Sequence, residues 1–148
     1  MSVRIVDISN DHSNDLREMR EALYLDLSAE FHDEEMSSIR RSPDKDCRVA
    51  LADDGVVTGF VEVSLRNFVD GCLTSPVGYI EGIFVKPAYR GQGIGERLVS
   101  AATEWAKSKG CVEMATDSEL DNTDAQTFHK RMGFVETYRV VEFKKSIE

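Results

Sequence analysis

Residues 80–95, IEGIFVKPAYRGQGIG, place two kinds of chemistry within one short stretch. Arg90, Gly91, Gln92, Gly93, Ile94 and Gly95 make a Gly-rich turn between a hydrophobic run and an amphipathic one. Glycines let the backbone bend tightly and aim several N–H groups at one point. A helix that follows adds its positive end, so the turn can hold a diphosphate, with Arg90 as a bidentate charge contact. It is not a P-loop, because no Gly-Lys-Ser/Thr follows, and Glu96 stands where the dinucleotide fingerprint needs glycine. Taken alone, the turn also reads as a tight connection without a ligand.

The second chemistry is acidic. Glu81 lies amid apolar residues in a predicted strand, which is costly unless its carboxylate is paired, hydrogen-bonded or wet. Alternation puts it on one face with Tyr79 and Ile83. Asp117 ends the neighbouring predicted strand, and Glu62 shares a face with Phe60 and Ser64 on the strand before. Carboxylates beside an amine can take its proton or anchor it as an ammonium. Glu62 also reads as a solvated strand residue, and Asp117 as a turn former. Glu81 is the hardest to account for without a function.

These residues need a framework. Alternation predicts a strand over residues 3–8, and Ser13 or Asn14 caps a helix with Leu16, Met19, Leu23 and Leu27 on one face. A second helix covers 29–41 and ends before Pro43. Strands at 47–52 and 56–65 flank the turn Asp53-Asp54-Gly55, and a polar loop over 67–76 leads to a strand at 78–85. After the Gly-rich turn, Ile94, Leu98, Ala101, Ala102 and Trp105 form the stripe of a helix that Gly110 stops, and Trp105 reads as core. A strand at 111–116, a short helix at 122–132 and one or two strands within 134–144 complete an α/β chain with helices on a mixed sheet.

The chain has 148 residues, enough for one core, and no repeat or linker divides it, so residues 1–148 read as one domain. The formal charge of -9 argues against a nucleic-acid surface; alone it reads first as solubility, although it would also concentrate a cationic small molecule. No apolar run is long enough to span a membrane, and no secretory signal is evident at the N-terminus. Cys47, Cys72 and Cys111 are odd in number and scattered, which suits a reducing cytoplasm. With the three histidines they make no spaced metal set, so no metal is expected.

The hydrophobic strand, the proline, the aromatic-Arg-Gly-x-Gly-x-Gly turn and the amphipathic helix together resemble the GNAT superfamily of acetyl-CoA-dependent N-acetyltransferases. Asn122-Thr123-Asp124-Ala125 and Phe128-His129-Lys130-Arg131-Met132-Gly133-Phe134 look like that family's late helix, and the element order agrees along the whole chain. The resemblance implies a mostly antiparallel sheet splayed to admit acetyl-CoA. It implies that Ile83, Phe84 and Val85 offer backbone to the pantetheine arm, residues 90–95 cradle the pyrophosphate, and Asn122 hydrogen-bonds the pantetheine. It also implies a homodimer.

EGIFVKPAYRGQG followed by MATDSELDNTDAQTFHKRMGF, with the loop at 71–76, looks like the aminoglycoside 6'-N-acetyltransferases within that superfamily. That likeness implies a polycationic drug site lined by Tyr24, Phe68, Glu81, Asp117 and Tyr138, with Glu81 and Asp117 binding or activating the amine. Phe68 stands where close relatives carry tyrosine, Tyr138 where they carry an acid, and the loop near Asn67 is one residue shorter. His129 occupies the place of a tyrosine that returns a proton in many GNAT enzymes; an imidazole could do so, as could solvent. Other acceptors, such as a polyamine, another amino-sugar or a peptide N-terminus, remain open, as do a regulatory acetyl-CoA-binding module and a Gly-turn protein that binds no CoA.

Overall fold

A computed structural model describes residues 2–148 of the chain. Five strands form one sheet in sequence order: β1 (Val3–Asp7), β2 (Lys45–Ala52), β3 (Val57–Arg66), β4 (Val77–Val85) and β5 (Met114–Thr116). All neighbours pair antiparallel except β4 and β5, which are parallel. The turn between β2 and β3 works because Gly55, at φ 85°, takes the left-handed conformation that a side chain disfavours.

Four helices cover the sheet: α1 (Ser13–Leu23), α2 (Ala29–Arg41), α3 (Ile94–Ser108) and α4 (Thr123–Arg131). The Ser28 hydroxyl caps α2 by accepting from the Phe31 N–H, and α2 stops short of Pro43 as the sequence predicts. α1 is not capped by Ser13 or Asn14, which lie inside it behind His12 at the N-cap, and it ends earlier than its periodicity suggests. Tyr24 turns extended there (φ -108°, ψ 90°), so Leu27 leaves the apolar face and is 36% exposed.

Each sheet face buries its own cluster. Val3, Ala50, Val61, Val63 and Ile80 meet Ile94, Leu98 and Ala102 of α3, with Trp105 partly buried against them. Cys47, Val49, Leu51 and Phe60 meet Leu16 and Met19 of α1 and Met36 and Ile39 of α2. Each fully buried side chain of this size contributes about 1.5–3 kcal/mol through withdrawal from water.

Two further expectations change, besides β5, which forms over Met114–Thr116 and not from residue 111. Residues 134–144 are not strands: the segment is unpaired, and Val135, Val140, Val141 and Phe143 are exposed. An alternating pattern makes a strand only beside a partner, and β5, at the sheet's edge, is three residues long. The second change lies in β4. Glu62 pairs with Gly82 while Val63 pairs with Ile80, so Glu81 is the extra residue of a bulge. Glu81 therefore keeps its face with Tyr79, but Ile83 flips to the α3 side and packs with Ile80. No helix among the described residues is long and apolar enough to cross a membrane.

Candidate active site

The parallel ladder of β4 and β5 is short, and its last pair is Ile80 with Thr116. The Thr116 hydroxyl donates to the Ile80 carbonyl at 3.1 Å and closes it. Glu81 and Asp117 are the next residue on each strand, so both acids stand where the strands part. Beyond that point β4 pairs on one side only, with β3, and the other edge of the 83–85 stretch has no strand beside it, though Arg90 reaches the Val85 carbonyl.

The two acids have different company. Glu81 accepts from the Ser64 hydroxyl and from Arg66, whose Nη2 lies 2.7 Å from Oε1 and Nε 3.0 Å from Oε2. Asp117 accepts from the Tyr79 hydroxyl and stands in no ion pair among the described residues. Burial, reinforced by that hydrogen bond, pushes the Tyr79 phenol up, so it stays protonated and donates.

Next to Glu81 is a cavity of about 300 Å³ whose lining includes Tyr24, Glu35, Glu62 and Ser64. Its floor is a buried network centred on Arg20, which is 1% exposed. Arg20 pairs with Glu62, donates through Nε to His32 Nδ1 at 3.1 Å, and reaches Glu35 at 3.3 Å. One guanidinium thus ties α1, α2 and β3 together. The Tyr24 hydroxyl is set by this network, 3.1 Å from Glu62 Oε1 and 3.2 Å from the Glu81 carbonyl. Gly82 makes that approach possible, since a Cβ there would lie 1.8 Å from the Tyr24 oxygen. Burial raises the Glu62 pKa while Arg20 opposes it, and burial with the Arg20 charge lowers that of His32. His32 is therefore neutral, with Nδ1 as acceptor.

At the other end of the opening, Gly91 and Gly93 take positive φ of 78° and 82° and lead into α3. A Cβ on either would meet nothing within 4 Å, so the space before the helix N-terminus is open. A turn of this kind ahead of a helix N-terminus suits an anion, although the Arg90 N–H is already bonded to the Pro87 carbonyl at 3.3 Å. Gly95 serves another purpose: a Cβ there would lie 3.0 Å from the Phe128 ring, so its absence lets α4 pack on α3. Arg90 folds back, its Nε donating to the Val85 carbonyl at 2.7 Å, which pins the turn to the end of β4. Asn122 caps α4 through Oδ1, leaving its amide N–H groups for another partner. His129 lies between the rings of Phe128 and Phe134, where burial lowers its pKa against the pull of Asp117.

The structure thus brings Tyr24 and Glu81 to one cavity and Asp117 beside them. Phe68 and Tyr138 are 78% and 67% exposed and line none of it. The chain segments that carry them do meet, since a Cβ on Gly71 would lie 2.8 Å from the Thr137 side chain. No group of three or more His, Cys, Asp or Glu among the described residues could hold a metal ion. Sequence reasoning missed Arg20, His32, Glu35 and Arg66. Arg20 carried a signal: with Leu16, Met19 and Leu23 it completes one helical stripe, so a charge stood at a core position.

The model of the acetyltransferase (GNAT) family matches residues 14–134, most of the chain. The chain belongs to the GNAT acetyltransferase family. Among this acetyltransferase's curated relatives, an aminoglycoside N(6')-acetyltransferase type 1 of Serratia marcescens is 40% identical over 97% of this chain and 99% of its own. Among solved structures, AAC(6')-Iy in complex with the bisubstrate analogue CoA-S-monomethyl-acetylneamine superposes with a TM-score of 0.93 at 34% identity, covering 99% of this chain and 100% of that one. The aminoglycoside 6'-N-acetyltransferase AAC(6')-Ih of Acinetobacter baumannii gives 0.91 at 37% identity, with the same coverage. The fold is the one expected from the sequence, a mixed and mostly antiparallel open sheet flanked by helices.

Proposed function

We infer that this GNAT protein transfers the acetyl group of acetyl-CoA to the 6'-amino group of aminoglycosides, and so confers resistance to them. One observation carries the reading: Glu81 and Asp117 flank the point at which β4 and β5 separate. That puts acids for an ammonium beside an opening whose other end is a turn suited to an anion. The relatives' named substrates support the same assignment.

Acetyl-CoA supplies the thioester that the neutral amine attacks directly. The residues that would hold it are Ile83, Phe84 and Val85 by the edge with no strand beside it, residues 90–95 at the pyrophosphate, and Asn122 at the pantetheine. Glu81 and Asp117 orient the ammonium. Asp117, in no ion pair among the described residues, accepts its proton, directly or through a water, while the Tyr79 hydroxyl fixes the carboxylate. A backbone N–H within 83–85 meets the charge that develops on the acetyl oxygen. Tyr24 supplies an aromatic wall to the sugar, and Phe68 and Tyr138, exposed in the free protein, would have to close over it from the 67–76 loop and the C-terminal segment. Burial, which lowers the His129 pKa, works against an imidazolium there, so the thiol's proton comes from solvent.

The chain acts as one domain over 1–148 in a reducing cytoplasm, which suits three free cysteines. It acts as a homodimer, because the unpaired segment 134–148 exposes Val140, Val141, Phe143 and Ile147 and needs a second copy to cover them. Sedimentation as a monomer at micromolar concentration would contradict the dimer. The function is tested by thiol release from acetyl-CoA with kanamycin-type drugs, spermidine and peptides as acceptors. The expected result is turnover with the drug far above the others; turnover with spermidine or peptide alone would overturn it.

A further inference from the structure

The acceptor end of the site carries a cation of its own. Arg66 ends β3, forks onto both oxygens of Glu81, and lays its guanidinium carbon 3.5 Å from the centre of the Tyr79 ring. A carboxylate and an aromatic face converging on one point are the partners an ammonium seeks. In the free protein this seat is taken by the chain itself.

Burial separates this pair from the other arginine–glutamate pair of the site. The Arg20 and Glu62 side chains are 1% and 5% exposed, so neither can leave without stranding a charge. Those of Arg66 and Glu81 are 43% and 33% exposed. A pair so open to solvent can exchange its cation without stranding a buried charge: the departing guanidinium is rehydrated, and the incoming ammonium takes over the carboxylate and the ring. A released Arg66, at a strand end beside the 67–76 loop, needs no new buried partner. The neighbouring Asp117 stands in no ion pair among the described residues, so a polycation that settles there brings a second charge within reach of Glu81.

We propose that Arg66 is a displaceable counter-ion that sets acceptor affinity, holding the ammonium seat on Glu81 and Tyr79 until a polycationic acceptor takes it. This rests on the acceptor site lying at Glu81 and Asp117. It predicts that removing Arg66 strengthens acceptor binding, whereas a fixed clamp that shapes Glu81 for the substrate would weaken binding when lost.

The test is calorimetric titration of kanamycin into the CoA-bound protein at low ionic strength, for wild type, Arg66→Gln, Glu81→Gln and the double variant. Arg66→Gln should tighten Kd about 3- to 5-fold, the range of a partly exposed ion pair. That gain should vanish when Glu81→Gln is also present, and acetyl-CoA affinity should be unchanged throughout. Arg66→Lys, which keeps the charge but neither forks nor stacks, should tighten Kd about 2-fold and decides the matter if the glutamine variant folds poorly. Weaker or unchanged binding in the arginine variants, or a gain that persists without Glu81, overturns the proposal. If the wild type binds no kanamycin, the aminoglycoside reading fails instead, and the same comparison with spermidine tests the counter-ion.

Discussion

Asp117→Asn lowers kcat/KM for an aminoglycoside by about 10²- to 10³-fold, within the range of a lost general base, and leaves acetyl-CoA affinity near wild type. The amide still accepts a hydrogen bond from the Tyr79 hydroxyl, so the loop after β5 keeps its anchor while the proton acceptor is removed. Asp117 is singled out over Glu81 by their partners. In the free protein the Arg66 fork engages both oxygens of Glu81, and the incoming ammonium takes that place, so Glu81 anchors the cation while Asp117, held by one hydrogen bond from Tyr79, is left to accept the proton. Steady-state kinetics over a pH series, together with a binding titration of acetyl-CoA, checks the result. Wild-type kcat/KM in the variant would remove Asp117 from the mechanism.

The second large effect is on stability. Arg20→Met strands the buried Glu62 carboxylate and should cost about 3–5 kcal/mol. At about 2–4 °C per kcal/mol for a domain near this size, the unfolding midpoint falls by roughly 6–20 °C. The loss follows from the position of Arg20, which joins His32, Glu35 and Glu62 beneath the cavity. Adding Glu62→Gln removes the stranded charge and should restore at least half of the midpoint shift. A single variant within about 1 kcal/mol of wild type by denaturant unfolding would show that the pair is dispensable.

The elements that position the site were legible where one local rule governs. The Gly-rich turn, the helix it opens and the 29–41 helix stand where their stripes and caps put them, because those signals act within a few residues. Glu81 stood out because a charge in a strand is costly wherever the strand goes, whereas Asp117, just past the end of β5, was singled out mainly by the family resemblance. Other features depend on the third dimension. The bulge at Glu81 arises from how β3 and β4 register, and no residue pattern within β4 announces it, so Ile83 was placed on the wrong face. Arg66 sits at a strand end in a polar stretch, where an arginine ordinarily means only solubility; its role depends on a carboxylate 15 residues away. The tail at 134–148 has a strand's alternation without a strand's partner.

The central claim concerns one nitrogen. The protein, incubated with acetyl-CoA and a kanamycin-type drug, should release one thiol per drug molecule, and NMR of the isolated product should place the acetyl group on the 6'-nitrogen alone. Acetylation at any other amine, or an unmodified drug, would contradict the account.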